Sequence, residues 1–251
     1  MNGKRPRIVG LTELLRDRYP DLADAEGAIR DGAVDVDGAI VMNPRSRVRS
    51  DAVIRVKQPR GLRGAAKLAA ALDGFDVDVT GRAALDLGAA AGGFTDVLLR
   101  RGARVVYAVD VGFGQLLGSL RQDARVRNLE RTNLADLTLE LVPDGVDVVT
   151  IDLSYLSVAS AIGQVEGLRF ASDADLIALV KPMFELGLGS LPTGQQELDD
   201  AARRAASGVR QWPWSVKGVM RSPVTGSRGA IEFLLHAVRA EPDSPSVRGS
   251  G

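Results

Sequence analysis

The chain has 251 residues, is 45% hydrophobic and 25% charged, and contains no cysteine. That length holds one large or two modest domains, and the missing cysteines exclude a disulfide scaffold, thiolate metal sites and a cysteine nucleophile. A single histidine, His236, excludes a histidine-clustered metal centre, and also a Ser-His-Asp triad unless it acts alone. The 32 basic and 32 acidic side chains cancel, although residues 1–60 carry 12 and 9 of them, a net of +3 that leaves −3 for the rest. Apolar runs such as Val146–Ile151 are far too short to span a bilayer, and no basic-then-apolar leader opens the chain. A cytoplasmic protein without membrane or metal partners is expected.

Leu11, Leu14 and Leu15 are spaced for one face of a helix that Pro20 closes. Ala25, Ala28 and Ile29 predict a second short helix, ended by Gly32. Ala33–Gly38 alternates apolar and polar residues and finishes in an Asp-Gly hairpin turn, with further strands at Ile40–Met42 and Ala52–Lys57. Residues 1–58 thus read as a small α+β domain and 59–63 as a linker. From Gly64 a helical stripe runs through Leu68, Ala71, Leu72 and Phe75. Strands at Ala83–Leu87, Arg104–Val109, Val146–Ile151 and Leu176–Val180 then alternate with helices at Gly92–Arg101 and near Gln115–Arg121. Apolar runs and β-α-β alternation predict a doubly wound α/β sheet over 64–240. A helix at Glu197–Val209 and strands at Trp214–Met220 and Ile231–Arg239 follow, and the composition of residues 241–251 predicts a disordered tail.

The clearest motif is Leu85–Phe94, where a strand meets a glycine-rich turn and then a helix. Glycines let a ligand approach the backbone, and a helix start offers free N–H groups. The glycines at 88, 92 and 93 miss the dinucleotide spacing G-x-G-x-x-G. Asp86 suits a cationic cofactor such as S-adenosylmethionine, and Asp110, 22 positions after Gly88, can accept both ribose hydroxyls. A tight turn without a ligand is the alternative. The methyl acceptor follows by exclusion: Asp152–Tyr155 lacks the proline turn of base amino-methylases, and no cysteine is present for pyrimidine carbon chemistry. A hydroxyl oxygen remains.

Candidate bases fall at strand ends, where open α/β sheets bind ligands. Asp152 ends one strand, and Lys181 ends another and is held extended by Pro182. Lys181 is the expected base, with Lys67 as a neighbouring second cation and with Asp152 and Glu232 holding its position. Glu232 is expected in the last strand, facing away from Ile231 and Phe233. Each has a plainer reading: a solvated helix lysine, a helix cap, a strand end, a wet sheet face. Trp212, Trp214 and His236 read as packing residues.

The stretches at 63–68, 85–103, 106–116, 130–137 and 179–185 resemble the TlyA family of ribosomal-RNA 2′-O-methyltransferases, of FtsJ/RrmJ type, some of which carry the name hemolysin. The resemblance spans residues from about 11 to 239. It implies an αL-type RNA-binding domain before a Rossmann-like, seven-stranded methyltransferase domain, with S-adenosyl-L-methionine as cofactor and ribosomal RNA or ribosomal subunits as partner. It implies a catalytic tetrad of Lys67, Asp152, Lys181 and Glu232. Its cofactor site would take Asp86, Gly88, Ala89, Gly92, Gly93, Phe94, Thr95, Asp110, Val111, Asn133, Leu134 and Asp152. Arg5, Arg7, Arg45, Arg47, Arg49, Arg60 and Arg63 are the expected RNA contacts. Ala90-Ala91, Met183 and Ala230 stand where members typically carry Ser-Thr, Gln and Asn. The acidic Asp24, Glu26, Asp31, Asp35 and Asp37 keep two other readings open, an O-methyltransferase for a small hydroxylated metabolite and a non-catalytic ribosome-binding protein.

Overall fold

The computed structural model describes residues 7–20, 22, 25–30, 32–56 and 63–240. Residues 7–56 give β1 (Ile8–Gly10), α1 (Leu11–Arg18), α2 (Ala25–Arg30), β2 (Val34–Val36), β3 (Ala39–Ile40), β4 (Arg47–Arg49) and β5 (Ile54–Val56). Leu11, Leu15, Ile29 and Val34 are fully buried in one cluster, as the helical spacing predicts. β2 lies between β3 and β5, while β1 and β4 form a separate antiparallel ribbon. The Asp37-Gly38 turn has both φ angles positive, 52° and 91°, the mirror-image geometry that suits the twist of a hairpin. The strand therefore resumes at Ala39, one residue earlier than expected.

From residue 63 the elements are α3 (Arg63–Phe75), β6 (Ala83–Leu87), α4 (Gly93–Arg100), β7 (Val105–Asp110), α5 (Gly118–Gln122), β8 (Val126–Glu130), β9 (Val146–Ile151), α6 (Val158–Val165), β10 (Phe170–Val180), α7 (Pro182–Glu185), α8 (Gln195–Val209), β11 (Trp214–Arg221) and β12 (Phe233–Arg239). One sheet of seven strands has the order β11-β12-β10-β9-β6-β7-β8. β6 to β10 are parallel, and β12 is antiparallel to both its neighbours. Side chains alternate between two cores. Leu85, Leu87, Val149 and Ile151 meet Ile162 of α6 and Val209 of α8, while Ala84, Val106 and Val148 meet Leu68 and Leu72 of α3 and Leu98 of α4. The β6-to-β10 crossovers so leave the ends of the parallel strands along one open edge.

The chain differs from the sequence expectation where strands are short or charged. The β1–β4 ribbon and β8 (Val-Arg-Asn-Leu-Glu) carry too little periodicity to be read. β12 starts at Phe233, so Glu232 precedes the strand rather than lying within it. Even so, its carbonyl still accepts from Ser222 N. α5 starts at Gly118 instead of Gln115, because the N–H groups of Gln115 and Leu116 donate to the Glu130 carboxylate. Trp212 and Trp214 do pack: their indole N–H groups donate to Ala159 O and to Glu166. Most of the expected linker and the whole tail lie outside the described residues. Among the described residues, no helix is long and apolar enough to cross a membrane.

Candidate active site

β6 delivers Gly88 to the open edge, where Gly88 N and Ala89 N donate to Val109 O and Asp152 N donates to Leu87 O. These bonds clamp the turn between two neighbouring strands. Gly88 has φ +89°, and a Cβ there would stand 2.4 Å from Asp152 O, so the position admits only glycine. Gly92, at φ +96°, starts α4, and a Cβ on it would strike Leu120 at 2.3 Å. Asp110 closes the other side of the turn. Its two oxygens accept from Ala90 N at 2.9 Å and Gly112 N at 2.7 Å, which leaves lone pairs free on a carboxylate with about four acceptor sites.

Around this turn lies a cavity of about 200 Å³ lined by Gly88, Asp110, Val111, Leu134, Asp152 and Ser154, with Thr132 and Tyr155. A second, of about 120 Å³, shares Gly88 and Asp152 and is lined by Gly64, Ala89, Gly93 and Phe94 as well. The donor set fits an adenosyl cofactor: a glycine turn for close approach, a carboxylate at the end of the next strand, and an apolar wall. Four of the expected cofactor residues are placed elsewhere. Asp86 is fully buried beneath α4 and accepts from the hydroxyls of Thr95 (2.7 Å) and Thr150 (2.9 Å), so neither Asp86 nor Thr95 lines these cavities. Gly92 faces Leu116 and Leu120, and the Asn133 amide donates to Asp136.

The tetrad residues come from four separate segments, and the sheet register brings them to the same edge. Val180 pairs with Phe233, so one step further Lys181 and Glu232 leave the sheet together. Both line a third cavity, of about 180 Å³, with Met183, Leu191, Ser227 and Ile231 among its walls. The pairing differs from the expected one. Glu232 holds Lys67, whose ammonium lies 2.5 Å from Oε2, both side chains being almost completely buried. Lys181 Nζ lies 2.6 Å from Asp152 Oδ1 and donates to Ser154 Oγ at 2.8 Å. Asp152 Oδ1 is buried and has no hydrogen bond of good angle, so its link to Lys181 is a contact of charges. Gly226 makes room for Glu232, since a Cβ there would lie 2.1 Å from Glu232 Oε1.

Ser154 lines both the cavity at the glycine turn and the one at Lys181, and no sequence motif singles it out. Glu185 is a second such residue. It is buried on α7 and accepts from Val158 N at the start of α6, tying the turn after Lys181 to the segment that carries Ser154. Burial pushes its carboxyl up, against the pull of that N–H.

Burial also pushes Asp86 up, to about 6, although its two threonine donors oppose the shift. Glu130 behaves oppositely. Its burial would raise it, but N–H donors from Leu116, Asn128, Gln115 and Gly114 outweigh that and hold it at about 2. Tyr155 is raised by desolvation and by the nearby Asp110.

Far from the tetrad in sequence, Arg7, Arg45, Arg47 and Arg49 are exposed and gather on the β1–β4 ribbon, where Ile8 pairs with Arg49. Arg49 is held bidentate by Asp51, and Arg47 reaches Ile8 O. Arg5, Arg60 and the side chain of Arg63 lie outside the described residues.

Comparison with known proteins identifies the family. The signature of FtsJ-like methyltransferases matches residues 62–239. The chain is 41% identical over 213 residues, 81% of it and 79% of the relative, to the 16S/23S rRNA (cytidine-2′-O)-methyltransferase TlyA of Mycobacterium tuberculosis. It is 32% identical over 226 residues to Hemolysin A of Brachyspira hyodysenteriae, covering 85% of this chain and 92% of that one. A solved hemolysin-named protein from Streptococcus thermophilus superposes with a TM-score of 0.64 at 29% identity, over 97% of this chain and 93% of that one. An S-adenosylmethionine-dependent methyltransferase from Listeria monocytogenes, 17% identical with a TM-score of 0.52 over 72% of this chain and all of that one, shares the fold. With the signature covering well over half of its length and relatives at this identity, the chain belongs to the FtsJ-like methyltransferase family, in its TlyA branch.

Proposed function

We propose that this protein transfers a methyl group from S-adenosylmethionine to a ribose 2′-hydroxyl of ribosomal RNA. The observation that carries the reading is the junction at Lys181: it lines the outer cavity, while its partners Asp152 and Ser154 line the cavity at the glycine turn. A lysine at the boundary between a donor site and an acceptor site is placed, as the neutral amine, to take a proton from an oxygen during transfer.

S-adenosylmethionine supplies a methyl on a positively charged sulfur, and the electron pair of the broken bond stays with that sulfur. Gly88, Ala89, Gly93 and Phe94 would border it, with Val111 and Leu134 along the apolar wall and Asp110 beside its ribose. Lys181, in its neutral form, accepts the proton of the attacking hydroxyl as the new carbon–oxygen bond forms. Asp152 fixes the lysine at its station. Glu232 walls the acceptor cavity with its charge balanced by Lys67. The protein contributes mainly orientation of the two reactants.

Residues 1–58 would serve as the RNA-binding unit and 64–240 as the catalytic one. Arg47 and Arg49 share one face of β4, with Arg7 and Arg45 exposed just outside the ribbon, a set of cations that suits phosphate contacts. An rRNA substrate puts the work in the cytoplasm. The test is labelled-methyl transfer to isolated ribosomal subunits and to free rRNA, followed by mapping of the modified ribose. A 2′-O-methylated nucleotide, with binding that weakens steeply as salt rises, is the expected result. Transfer only to small hydroxylated molecules would overturn it.

A further inference from the structure

We infer that Ser154 aims the lone pair of Lys181 at the acceptor oxygen. The inference rests on the reading of Lys181 as the base and adds to it a residue outside the tetrad. The argument is one of geometry around a single nitrogen. An amine nitrogen has four tetrahedral directions, one of which is its bond to the side chain. In the neutral form two of the other three are N–H bonds and the last is the lone pair. Ser154 Oγ, 2.8 Å from Nζ, accepts one N–H, and Asp152 Oδ1, 2.6 Å away in a contact of charges, repels a lone pair from a second direction. With one direction taken by the hydrogen bond and another closed by the carboxylate, the lone pair has one direction left.

With Asp152 alone, the amine can turn about its terminal bond and point the lone pair at any of several positions. Ser154 is the group that removes this freedom. Its place in the chain suits the task, because it sits two residues after Asp152 at the strand end and lines both cavities. It is exposed here, so it holds Lys181 most firmly when substrates on either side cover the hydrogen bond and exclude water. Of the other charged groups, Asp152 after β9 lies against this nitrogen, and Glu232 before β12 shares its cavity and is paired with Lys67 of α3. In the step itself the hydroxyl proton moves to Nζ along the lone pair, the oxygen gains the methyl carbon, and the charge lost from sulfur reappears on the lysine.

The experiment compares Ser154→Ala, Ser154→Thr and Lys181→Ala with the full-length protein in single-turnover methyl transfer to rRNA. Cofactor affinity is measured separately by calorimetry. Ser154→Ala is expected to lower the rate constant about ten- to a hundredfold, the range of one hydrogen bond to a charged group, with cofactor Kd and RNA KM within twofold of wild type. The acid limb of its pH–rate profile should move to lower pH, because the ammonium loses an acceptor that favours the charged form. Ser154→Thr, which keeps the hydroxyl, should recover most of the rate. An unchanged rate constant in Ser154→Ala, or a loss confined to cofactor Kd, overturns the inference while leaving Lys181 as base. Retained turnover in Lys181→Ala overturns the underlying reading instead.

Discussion

Where the parallel strands begin, Arg82 reaches the Asp175 carboxylate and the carbonyl oxygens of Asp78, Asp147 and Asp173, while His236 engages the other oxygen of Asp175. Where they end, Lys67 meets one carboxylate, and Lys181 meets one carboxylate and one hydroxyl. The first cluster gives its cation four oxygen partners and ties three strands or their flanking loops together. Burial would raise Asp175, yet its bonds with His236 and Arg82 hold it below the usual carboxylate range. The second cluster opens onto cavities and keeps hydrogen-bonding capacity in reserve. Ion pairs of similar length thus serve opposite ends: full coordination marks a structural clasp, and incomplete coordination beside empty space marks a place for chemistry. Six residue steps along β10, about 20 Å, separate Asp175 from Lys181.

This contrast can be broken by mutation. The largest expected effect is on catalysis: Lys181→Met should lower the methyl-transfer rate by about 10² to 10⁴ while leaving the thermal midpoint nearly unchanged. Arg82→Ala should do the reverse. Removing one partner of a largely buried pair costs about 4 kcal/mol, measurable by chemical denaturation, and the rate per folded molecule should stay within twofold of wild type. A large rate loss in Arg82→Ala at equal folded fraction would erase the distinction between the two edges.

The smallest effect sharpens it within the cofactor side. Asp86, raised from 3.8 to about 6 by burial, contributes stability that is fully present below about pH 3.8 and lost as pH rises through about 6. Asp86→Asn lacks that titration. Its stability relative to wild type should stay level below about pH 4 and climb by at most about 3 kcal/mol up to about pH 6. A difference independent of pH would mean that Asp86 does not titrate in this range.

Much of the cofactor side was legible because it is local. Leu85–Phe94 holds the strand, the glycines and the helix start in ten residues, and Asp110 falls at the end of the next strand. Asp86 was misplaced although the signal was present. It alternates with Leu85 and Leu87, which face α6 and α8, so its side chain must point the other way, under α4 and toward Thr95. The acceptor side depends on contacts between distant segments. The four tetrad positions could be nominated as strand-end and helix residues. The β10–β12 register carries Glu232 out of the sheet beside Lys181, and its pairing with Lys67 depends on the packing of α3 against β12, which no local pattern encodes. Ser154 carried no signal, being one serine in a loop. The β1–β4 ribbon that gathers the arginines was hidden by strands of three residues each.

The antiparallel insertion of β12 has a consequence for how the protein comes into being. Because β12, the last strand of the described residues, slots between β10 and β11, it is an interior strand. Until residues 232–239 are made, edge strand β11 is parted from the rest of the sheet and Lys67 lacks its Glu232 partner. Completion of the fold and completion of the proposed catalytic group are therefore the same event, and a chain truncated before that point would be both unzipped and inert.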